Sequence, residues 1–298
     1  MTGTTPSKPM ISVIMATYNM GQYVCQAVDS VLDQDYGNLE VIVVDDGSID
    51  DTPLKLKRYA SDSRVKLIHQ ENAGQTTAKN RGLQEAQGEY VGFCDADNFW
   101  FPSKLSRQLP LFDNRDKLAV VYGDLQLIDA AGNKMATPAV KRYSGRITGQ
   151  LLCDNFVSFN TSLTPRRVVE EVGGFDESLR MGIDYDLWLR ISVSYEFQYI
   201  PEPLVGYRIW GGQMSNRTGE RFENSFRMMN NFLARYPRSV TPAEVRRGWA
   251  HTYVSRGRWK ASEKRYGDAL LDYFRAFKYR FYDRRLWKSL IKLGVGSK

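Results

Sequence analysis

Two carboxylates stand two residues apart in the sequence, Asp95 and Asp97, with Ala96 between them and the apolar run Tyr90–Phe93 before them. Carboxylate oxygens are the hard ligands that Mg²⁺ and Mn²⁺ prefer. Proteins usually bind Mg²⁺ through one or two carboxylates together with phosphate oxygens of a substrate. The triplet therefore indicates a divalent cation beside a phosphate group. A plain surface turn, in which Asp is common, is the simpler alternative.

Two further polar turns follow apolar runs in the same way. Asp45 and Asp46 come after the run at 39–44, and Thr17-Tyr18-Asn19 comes after the run at 11–15. A carboxylate in the first turn could accept hydrogen bonds from a nucleobase or a ribose. The second turn could stack on a base or form hydrogen bonds with it. Backbone preferences alone can explain either turn, but the three turns together indicate a nucleotide site.

The apolar runs alternate with helical patterns as far as residue 118. Strands that alternate with helices form βαβ units and a parallel sheet, which brings the loops after its strands to one edge, where ligands usually bind. From residue 119 the pattern predicts a mixed α/β half, and after residue 218 it is helical. The predicted strands are 11–15, 39–44, 65–68, 90–93, 119–122, 126–128, 197–200 and 204–207, and the predicted helices include 77–86, 166–172 and 184–193.

Six motifs, in this order and spacing, resemble glycosyltransferase family 2 over about residues 10–215. The resemblance implies a GT-A fold, which is an α/β fold with a Rossmann-like, mostly parallel central sheet flanked by helices, here with a C-terminal helical extension. It also implies an inverting hexosyltransferase that uses nucleotide sugars. The motifs are Ile11–Asn19, Val43–Ser48, Ala78–Leu83, Asp95–Asp97 with Trp100–Leu105, Gly173–Asp176 and Asp184–Arg190.

The resemblance also implies a role for individual residues. Asp97 would be the principal ligand of Mn²⁺ or Mg²⁺, with Asp95 in the same metal shell. Asp184 would be the catalytic base that takes the proton of the acceptor hydroxyl, and the alternative for Asp184 is a helix N-cap. The residues implied for the nucleotide sugar are Ala16, Thr17, Tyr18 and Asn19 around the base, Asp46 and less strongly Asp45 on the base, Lys79 near the nucleotide, and Asp95 with Ala96 at the ribose.

Two positions depart from the family pattern. Ile183 stands where the family usually has Glu, and Trp210 stands where it often has His. Trp cannot coordinate a metal, so that contact is either absent or replaced by stacking on a sugar or a base. Arg208 could meet a phosphate. Packing is the alternative for both Arg208 and Trp210.

These residues predict a metal-dependent inverting glycosyltransferase that moves a sugar from a nucleotide-diphosphate donor, a UDP-sugar before others, to a saccharide or lipid-linked saccharide. The resemblance implies cell-envelope polysaccharide synthesis, in the cytoplasm or at the inner face of the plasma membrane. The alternatives are a non-catalytic module that binds a nucleotide sugar and a nucleotidyltransferase. The latter needs a basic, Gly-rich phosphate loop near the N-terminus, and residues 16–23 contain no Lys or Arg.

Composition and charge limit the class of protein further. The 298 residues are 42% hydrophobic and 25% charged, which is a globular composition. The three cysteines are far apart, which argues against a zinc site or a disulfide scaffold. The net charge is +7, but residues 243–298 contain 15 Lys and Arg against 5 Asp and Glu, a net charge of +10. The positive charge therefore belongs to the C-terminal fifth.

The sequence predicts two parts. The first is a GT-A catalytic domain at 1–240, with a nucleotide-binding half at about 10–118, an acceptor half at about 119–217 and then a connecting helix. The second is a basic, aromatic-rich helical tail at 241–298.

The tail contains an apolar stripe at helical spacing. A capping box begins its first helix at Thr241, and Gly257 is predicted to end that helix. A basic helix with an aromatic face is typical of helices that bind an anionic membrane surface, and the alternative is a stripe that packs on the catalytic domain. No recognised nucleic-acid fold is present, so no nucleic-acid partner is expected. The stripe consists of Leu270, Phe274, Phe277 and Phe281.

Overall fold

The structure, a computed structural model, describes residues 8–213 and 217–295. Strands and helices alternate in the first half of the chain, as predicted, and helices alone follow residue 217. The strands are β1 Ile11–Thr17, β2 Leu39–Asp45, β3 Val65–His69, β4 Tyr90–Phe93, β5 Phe99–Trp100, β6 Leu118–Ile128, β7 Leu163–Pro165 and β8 Glu196–Arg208. The helices are α1 Val24–Leu32, α2 Thr52–Leu56, α3 Gln75–Glu85, α4 Lys104–Gln108, α5 Thr148–Leu151, α6 Arg166–Glu171, α7 Ile183–Ser192, α8 Thr218–Arg235, α9 Pro242–Ser262, α10 Tyr266–Arg280 and α11 Arg284–Val295.

The strands form one sheet in the order β3-β2-β1-β4-β7-β6-β8-β5. The first four strands in this order are parallel, because β1 pairs in parallel with β2 and β4, and β2 pairs in parallel with β3. The register sets Thr17 opposite Asp45 and Ile14 opposite Phe93. The polar turns after β1, β2 and β4 therefore meet at one edge of the sheet, which confirms the predicted α/β class and the predicted edge.

Two pairs of predicted short strands are each one continuous strand. The segments 119–122 and 126–128 belong to β6, and 197–200 and 204–207 belong to β8 in spite of two prolines. β6 and β8 run parallel, with shifts of register on either side of Asp124, where Pro203 is its partner. A proline is tolerated in a strand at such an irregularity because no ladder hydrogen bond from its nitrogen is required there.

Helix α3 lies against β1 through small residues. Ala78 is completely buried. A Cβ atom at Gly82 would come within 2.6 Å of the Ile14 side chain, so a larger residue here would push the helix off the strand. The close approach fixes the position of α3, whose polar face carries Lys79.

The contacts divide the chain into two compact units. The first comprises residues 1–146 and 157–213, and the second comprises 147–156 and 214–298. The division thus falls after Gln213, so that α8 belongs to the helical unit, whereas the sequence had suggested residue 240.

In the helical unit, the predicted start of α9 is confirmed and its predicted end is wrong. Thr241 and Glu244 form the capping box at the start of α9. The prediction that Gly257 ends this helix is wrong, because α9 continues to Ser262. Gly257 is required for packing instead, since a Cβ atom there would lie 2.5 Å from the Tyr273 ring. Among the described residues, no helix is long and apolar enough to cross a membrane.

Lys104 offers a test of the packing in the first unit. Its ammonium group is completely buried, donates to Gln108 Oε1 (2.7 Å) and the carbonyl of Ser162 (3.2 Å), and lies 3.9 Å from the ring centroid of Trp100. Burial lowers the pKa of Lys104 from 10.5 to about 7. Above pH 7 Lys104 therefore holds its proton in the unfolded chain and loses it in the native protein, so the contribution of Lys104 to stability rises with pH in this range.

We predict that raising the pH from about 7 to about 9 stabilises the native protein by about 2 kcal/mol more than it stabilises Lys104→Met. The measurement is the free energy of unfolding in urea at both pH values. An identical pH dependence in the two proteins would show that Lys104 keeps its ordinary pKa.

Candidate active site

The turn after β4 carries the first predicted carboxylate, Asp95, and two side chains fix its position. Asn160 binds both ends of Asp95, accepting from its backbone N–H (2.6 Å) and donating to Oδ2 (2.8 Å). Lys79, nearly fully buried on α3, donates to Oδ1 at 2.9 Å and lies 4.4 Å from the ring centroid of Phe159. Lys79 thus pairs with Asp95, and the pair ties α3 to the turn.

Asp97 is the more buried charge of the two, and its environment sets its pKa. Burial raises the pKa of the Asp97 carboxyl, and the negative charge of Asp95 raises it further. The indole N–H of Trp210 donates to Oδ2 at 2.9 Å and acts in the opposite direction. Trp210 also packs edge-on against Tyr23, with ring centroids 5.6 Å apart. The position where the family often has His therefore makes a hydrogen bond to the predicted metal ligand.

Arg208, a buried residue, stabilises the turn that carries Asp97. Only 2% of Arg208 is exposed. Its guanidinium donates to the carbonyls of Asp97 (2.9 Å), Asp129 (3.3 Å) and Ala130 (3.0 Å), and to Gln26 Oε1 (2.5 Å). Each of the three guanidinium nitrogens has a protein acceptor. These acceptors replace the water that Arg208 lost on burial. The structure thus gives Arg208 a positioning role, and its phosphate contact stays a prediction.

The carboxylate of Asp46 organises the loop that leads into α3. It accepts hydrogen bonds from Gln70 Nε2 (2.8 Å) and from the backbone N–H groups of Ala73 (2.9 Å) and Gly74 (2.8 Å). Asp45 beside it accepts a hydrogen bond at Oδ2 from His69 Nδ1, at 3.0 Å. Both carboxylates are buried. The residues predicted for the base are therefore first of all structural anchors of neighbouring loops.

The turn after β1 is held against the turn after β2. Asn19 has a left-handed backbone (φ +53°), donates its N–H to Ser48 Oγ and accepts from the N–H of Ile49, both at 2.9 Å. Tyr18 is 43% exposed, so its ring is available for stacking. The hydroxyl of Thr17 is buried and has no hydrogen-bond partner within the described part of the chain. Ala16 is the only partly exposed residue of β1 and lies next to this turn.

Asp184 lies in the first turn of α7, where the positive end of the helix dipole favours a carboxylate. The N-cap is Gly182 in the left-handed conformation (φ +73°), so the alternative that Asp184 is the N-cap is wrong. Ile183, the residue that departs from the family pattern, is buried beside it.

Helix α3 also holds the segment that leads to Asp184. Thr76 Oγ1 donates to the carbonyl of Leu179 at 2.8 Å, and Gln75 Nε2 donates to the carbonyl of Arg180 at 3.0 Å. Asn80 both donates to and accepts from the backbone of Phe175, at 2.9 Å in each case. The helix that pairs Lys79 with Asp95 thus also positions the approach to Asp184.

Sequence reasoning missed two supporting residues, Asn160 and Arg190. Asn160 lies in no motif, and nothing in the sequence marks its contact with Asp95. Arg190 is different, because its spacing of four residues from Asp186 on a helix is typical of an ion pair. The pair is 2.6 Å long and nearly buried, and Arg190 also donates to the carbonyls of Val172 (2.6 Å) and Gly174 (2.7 Å).

The carboxylates fit a divalent cation that is shared with a phosphate group. Among the described residues, no group of three or more His, Cys, Asp and Glu side chains could enclose a metal ion. Mg²⁺ needs only one or two carboxylates when phosphate oxygens complete its shell. Desolvation and the negative charge of Asp95 raise the pKa of Asp97, and a bound cation would favour its ionised form.

The model of the family described as glycosyl transferase family 2 matches residues 12–164. An uncharacterised glycosyltransferase of Rickettsia typhi is 32% identical over 257 residues, which cover 83% of this chain and 78% of that protein. The chain belongs to glycosyl transferase family 2, and it is a hexosyltransferase-type enzyme. Chondroitin synthase of Escherichia coli is 31% identical over 233 residues, but the match covers only 33% of that protein and 76% of this chain.

Solved structures show the same GT-A fold. TarS 1–349 of S. aureus in complex with UDP-GlcNAc has a TM-score of 0.59 at 17% identity, covering 82% of this chain and 80% of that one. The mannosyltransferase PcManGT of Pyrobaculum calidifontis, in complex with GDP-Man and Mn²⁺, has a TM-score of 0.59 at 18% identity, covering 98% of this chain and 89% of that one. At these identities the likeness concerns the fold alone.

We predict that Trp210→Phe raises the pKa of Asp97, because it removes a donor that favours the charged carboxylate and keeps an aromatic ring against Tyr23. Loss of such a supporting hydrogen bond typically weakens metal binding about 10–100-fold. The measurement is Mn²⁺ affinity against pH in the presence of a nucleoside diphosphate, and its acidic limb should move to higher pH. Trp259→Phe, in the helical unit, is the control. Unchanged affinity in Trp210→Phe would contradict this role.

Proposed function

We propose that this glycosyltransferase is metal-dependent and inverting, and that it transfers a sugar from a nucleotide-diphosphate donor to a saccharide or lipid-linked saccharide. The observation that carries the proposal is the carboxylate of Asp97, which is only partly exposed, is raised in pKa by burial and is oriented by Trp210. Its turn is connected through Lys79 and α3 to the segment that precedes Asp184.

Asp97 would hold the cation, with Asp95 in support through its pairing with Lys79. A bound Mn²⁺ or Mg²⁺ supplies positive charge where the nucleotide-diphosphate leaving group becomes more negative. The protein would keep the carboxyl group of Asp97 ionised and oriented. The hydrogen bond from the Trp210 N–H favours both directly. Arg208 keeps the backbone of the turn in place, so that Asp97 does not have to reorganise during the reaction.

Asp184 would take the proton of the acceptor hydroxyl. A hydroxyl is a poor nucleophile near neutral pH, and a positioned carboxylate that accepts its proton typically accelerates attack about 10²–10⁴-fold. Attack from the face opposite the leaving group inverts the anomeric carbon. The first turn of α7 stabilises the ionised form of Asp184, which is the form a base requires.

The donor that we favour is a UDP-sugar. TarS was solved with UDP-GlcNAc, and PcManGT was solved with GDP-Man, so the fold accommodates either base. The exposed ring of Tyr18 would stack on the base. The carboxylate of Asp46 accepts three hydrogen bonds. A carboxylate offers about four acceptor positions, so one remains for an N–H of a base.

We infer the acceptor class from the relatives more than from contacts in the structure. Chondroitin synthase is a polysaccharide synthase by name, and this chain is similar to a third of it. We therefore propose a growing or lipid-linked saccharide of a cell-envelope polysaccharide as the acceptor class.

Asp184→Asn tests the general base. We predict that kcat falls by about 10²–10⁴-fold while donor affinity is unchanged, because Asn keeps the shape and cannot accept the proton. The assay follows release of the nucleoside diphosphate, and donor affinity is measured by calorimetry. Asp113→Asn, at an exposed position, is the matched control. Turnover near that of the unmodified enzyme would remove Asp184 from this role.

A thermal-shift panel tests the donor and the metal together. A ligand that binds only the native state raises Tm, so we predict the largest rise with a UDP-sugar and Mn²⁺, and smaller rises with GDP- and dTDP-sugars. In Asp97→Ala the Mn²⁺-dependent part should disappear. Equal shifts with and without Mn²⁺ would contradict metal dependence, and tight binding without turnover would favour a non-catalytic binding module.

A further inference from the structure

Helix α10 has one face that packs within the helical unit. Ala269, Tyr273 and Ala276 on this face are buried together with Val254 of α9. Asp272, on the same face, is completely buried and binds Arg256 at 2.6 Å and Lys260 at 2.8 Å. This face therefore has its partners, and the packing fixes how α10 is rotated.

The predicted apolar stripe lies on another face of α10, and it is exposed. Phe274 is 71% exposed and Phe281 is 62% exposed. The packing within the helical unit therefore leaves this stripe exposed. An apolar surface of this kind on a protein usually marks a binding surface.

Helix α11 extends the same surface. The ring of Trp287 lies edge-on to Phe277, with centroids 6.2 Å apart, and its indole N–H donates to the carbonyl of Phe281 at 2.7 Å. Trp287 is nevertheless 48% exposed, and Ile291, one turn later, is 64% exposed. The exposed apolar residues of the two helices are thus joined. We call this the aromatic surface, formed by Leu270, Phe274, Phe277, Phe281, Trp287 and Ile291.

Positive charge accompanies the aromatic surface. Helices α10 and α11 carry the exposed cations Lys278, Arg284, Lys288 and Lys292. The acids of α10 and of the turn between the two helices are each paired with a cation: Asp268 with Arg265, Asp272 with Arg256 and Lys260, and Asp283 with Arg285. The exposed cations therefore face solvent without a compensating acid on their own helices.

We propose that the aromatic surface binds an anionic lipid bilayer, with α10 and α11 lying in the plane of the interface. Aromatic side chains enter the boundary between headgroups and acyl chains, and the lysines and Arg284 contact anionic headgroups. A second copy of the chain fits this surface less well, because a symmetric contact would bring the same cations together. The proposal concerns a partner of the helical unit and does not rest on the sugar-transfer reaction.

Sedimentation with lipid vesicles tests the proposal on the full-length chain. We expect binding to vesicles of phosphatidylcholine with phosphatidylglycerol, weaker binding at high salt, and none to phosphatidylcholine alone. The variant F274S/F281S/W287S should lose at least about tenfold in vesicle affinity, because it removes the side chains that would be buried. The matched control is L54S/V140S, which removes two exposed apolar side chains of the first unit.

A second pair of variants tests the charge. K288E/K292E should lose binding to anionic vesicles, and K134E/K141E, with the same change of charge on exposed residues of the first unit, should retain it. Circular dichroism confirms that each variant is folded, which is expected because all these side chains are exposed. Failure of the unmodified protein to sediment, or unchanged sedimentation of F274S/F281S/W287S, would overturn the proposal. So would a dimer or an oligonucleotide complex that the same variant abolishes in a protein that binds no vesicles.

Discussion

The buried guanidinium of Arg208 is the contact on which the candidate site depends. A charge removed from water must be compensated completely, and three backbone carbonyls and one side-chain oxygen compensate this one. Those acceptors come from separate stretches of the chain, so their mutual positions are fixed by one rigid, planar donor. The turn that carries Asp97, whose own carbonyl is among them, is thereby held at the sheet edge.

Helix α3 connects the turn of Asp95 to the segment that precedes Asp184. Its N-terminal approach is anchored by Asp46, its middle by the pairing of Lys79 with Asp95, and its outer face by the backbone near Phe175 and Leu179. The close approach at Gly82 keeps the helix on β1. A carboxylate from each of two turns and the segment before Asp184 are therefore positioned by one helix, which explains why polar residues recur at these places in the sequence.

Local pattern predicted the part of the fold that local forces determine. Apolar runs predicted β1 to β4, and the helical pattern predicted α3. The rest depends on contacts between distant residues: Arg208 binds a carbonyl 111 residues away, and Asn160 binds Asp95 65 residues away. β8 continues past its prolines because β6 supplies a partner strand. Gly257 stays inside a helix because Tyr273 lies against it. The exposure of the aromatic surface could not be predicted from periodicity either. Periodicity identifies the residues of the stripe but not the residues that pack beside them.

The central claim is that Asp97 holds a cation against the pyrophosphate of a donor, with Asp184 on the opposite side of the sugar. Anomalous diffraction from crystals grown with Mn²⁺ and a UDP-sugar analogue measures this directly. The account predicts a manganese peak about 2.0–2.2 Å from an oxygen of Asp97, in contact with the phosphates, and the Asp184 carboxylate facing the anomeric carbon. A manganese ion bound away from Asp97, or a sugar bound out of reach of Asp184, would contradict it.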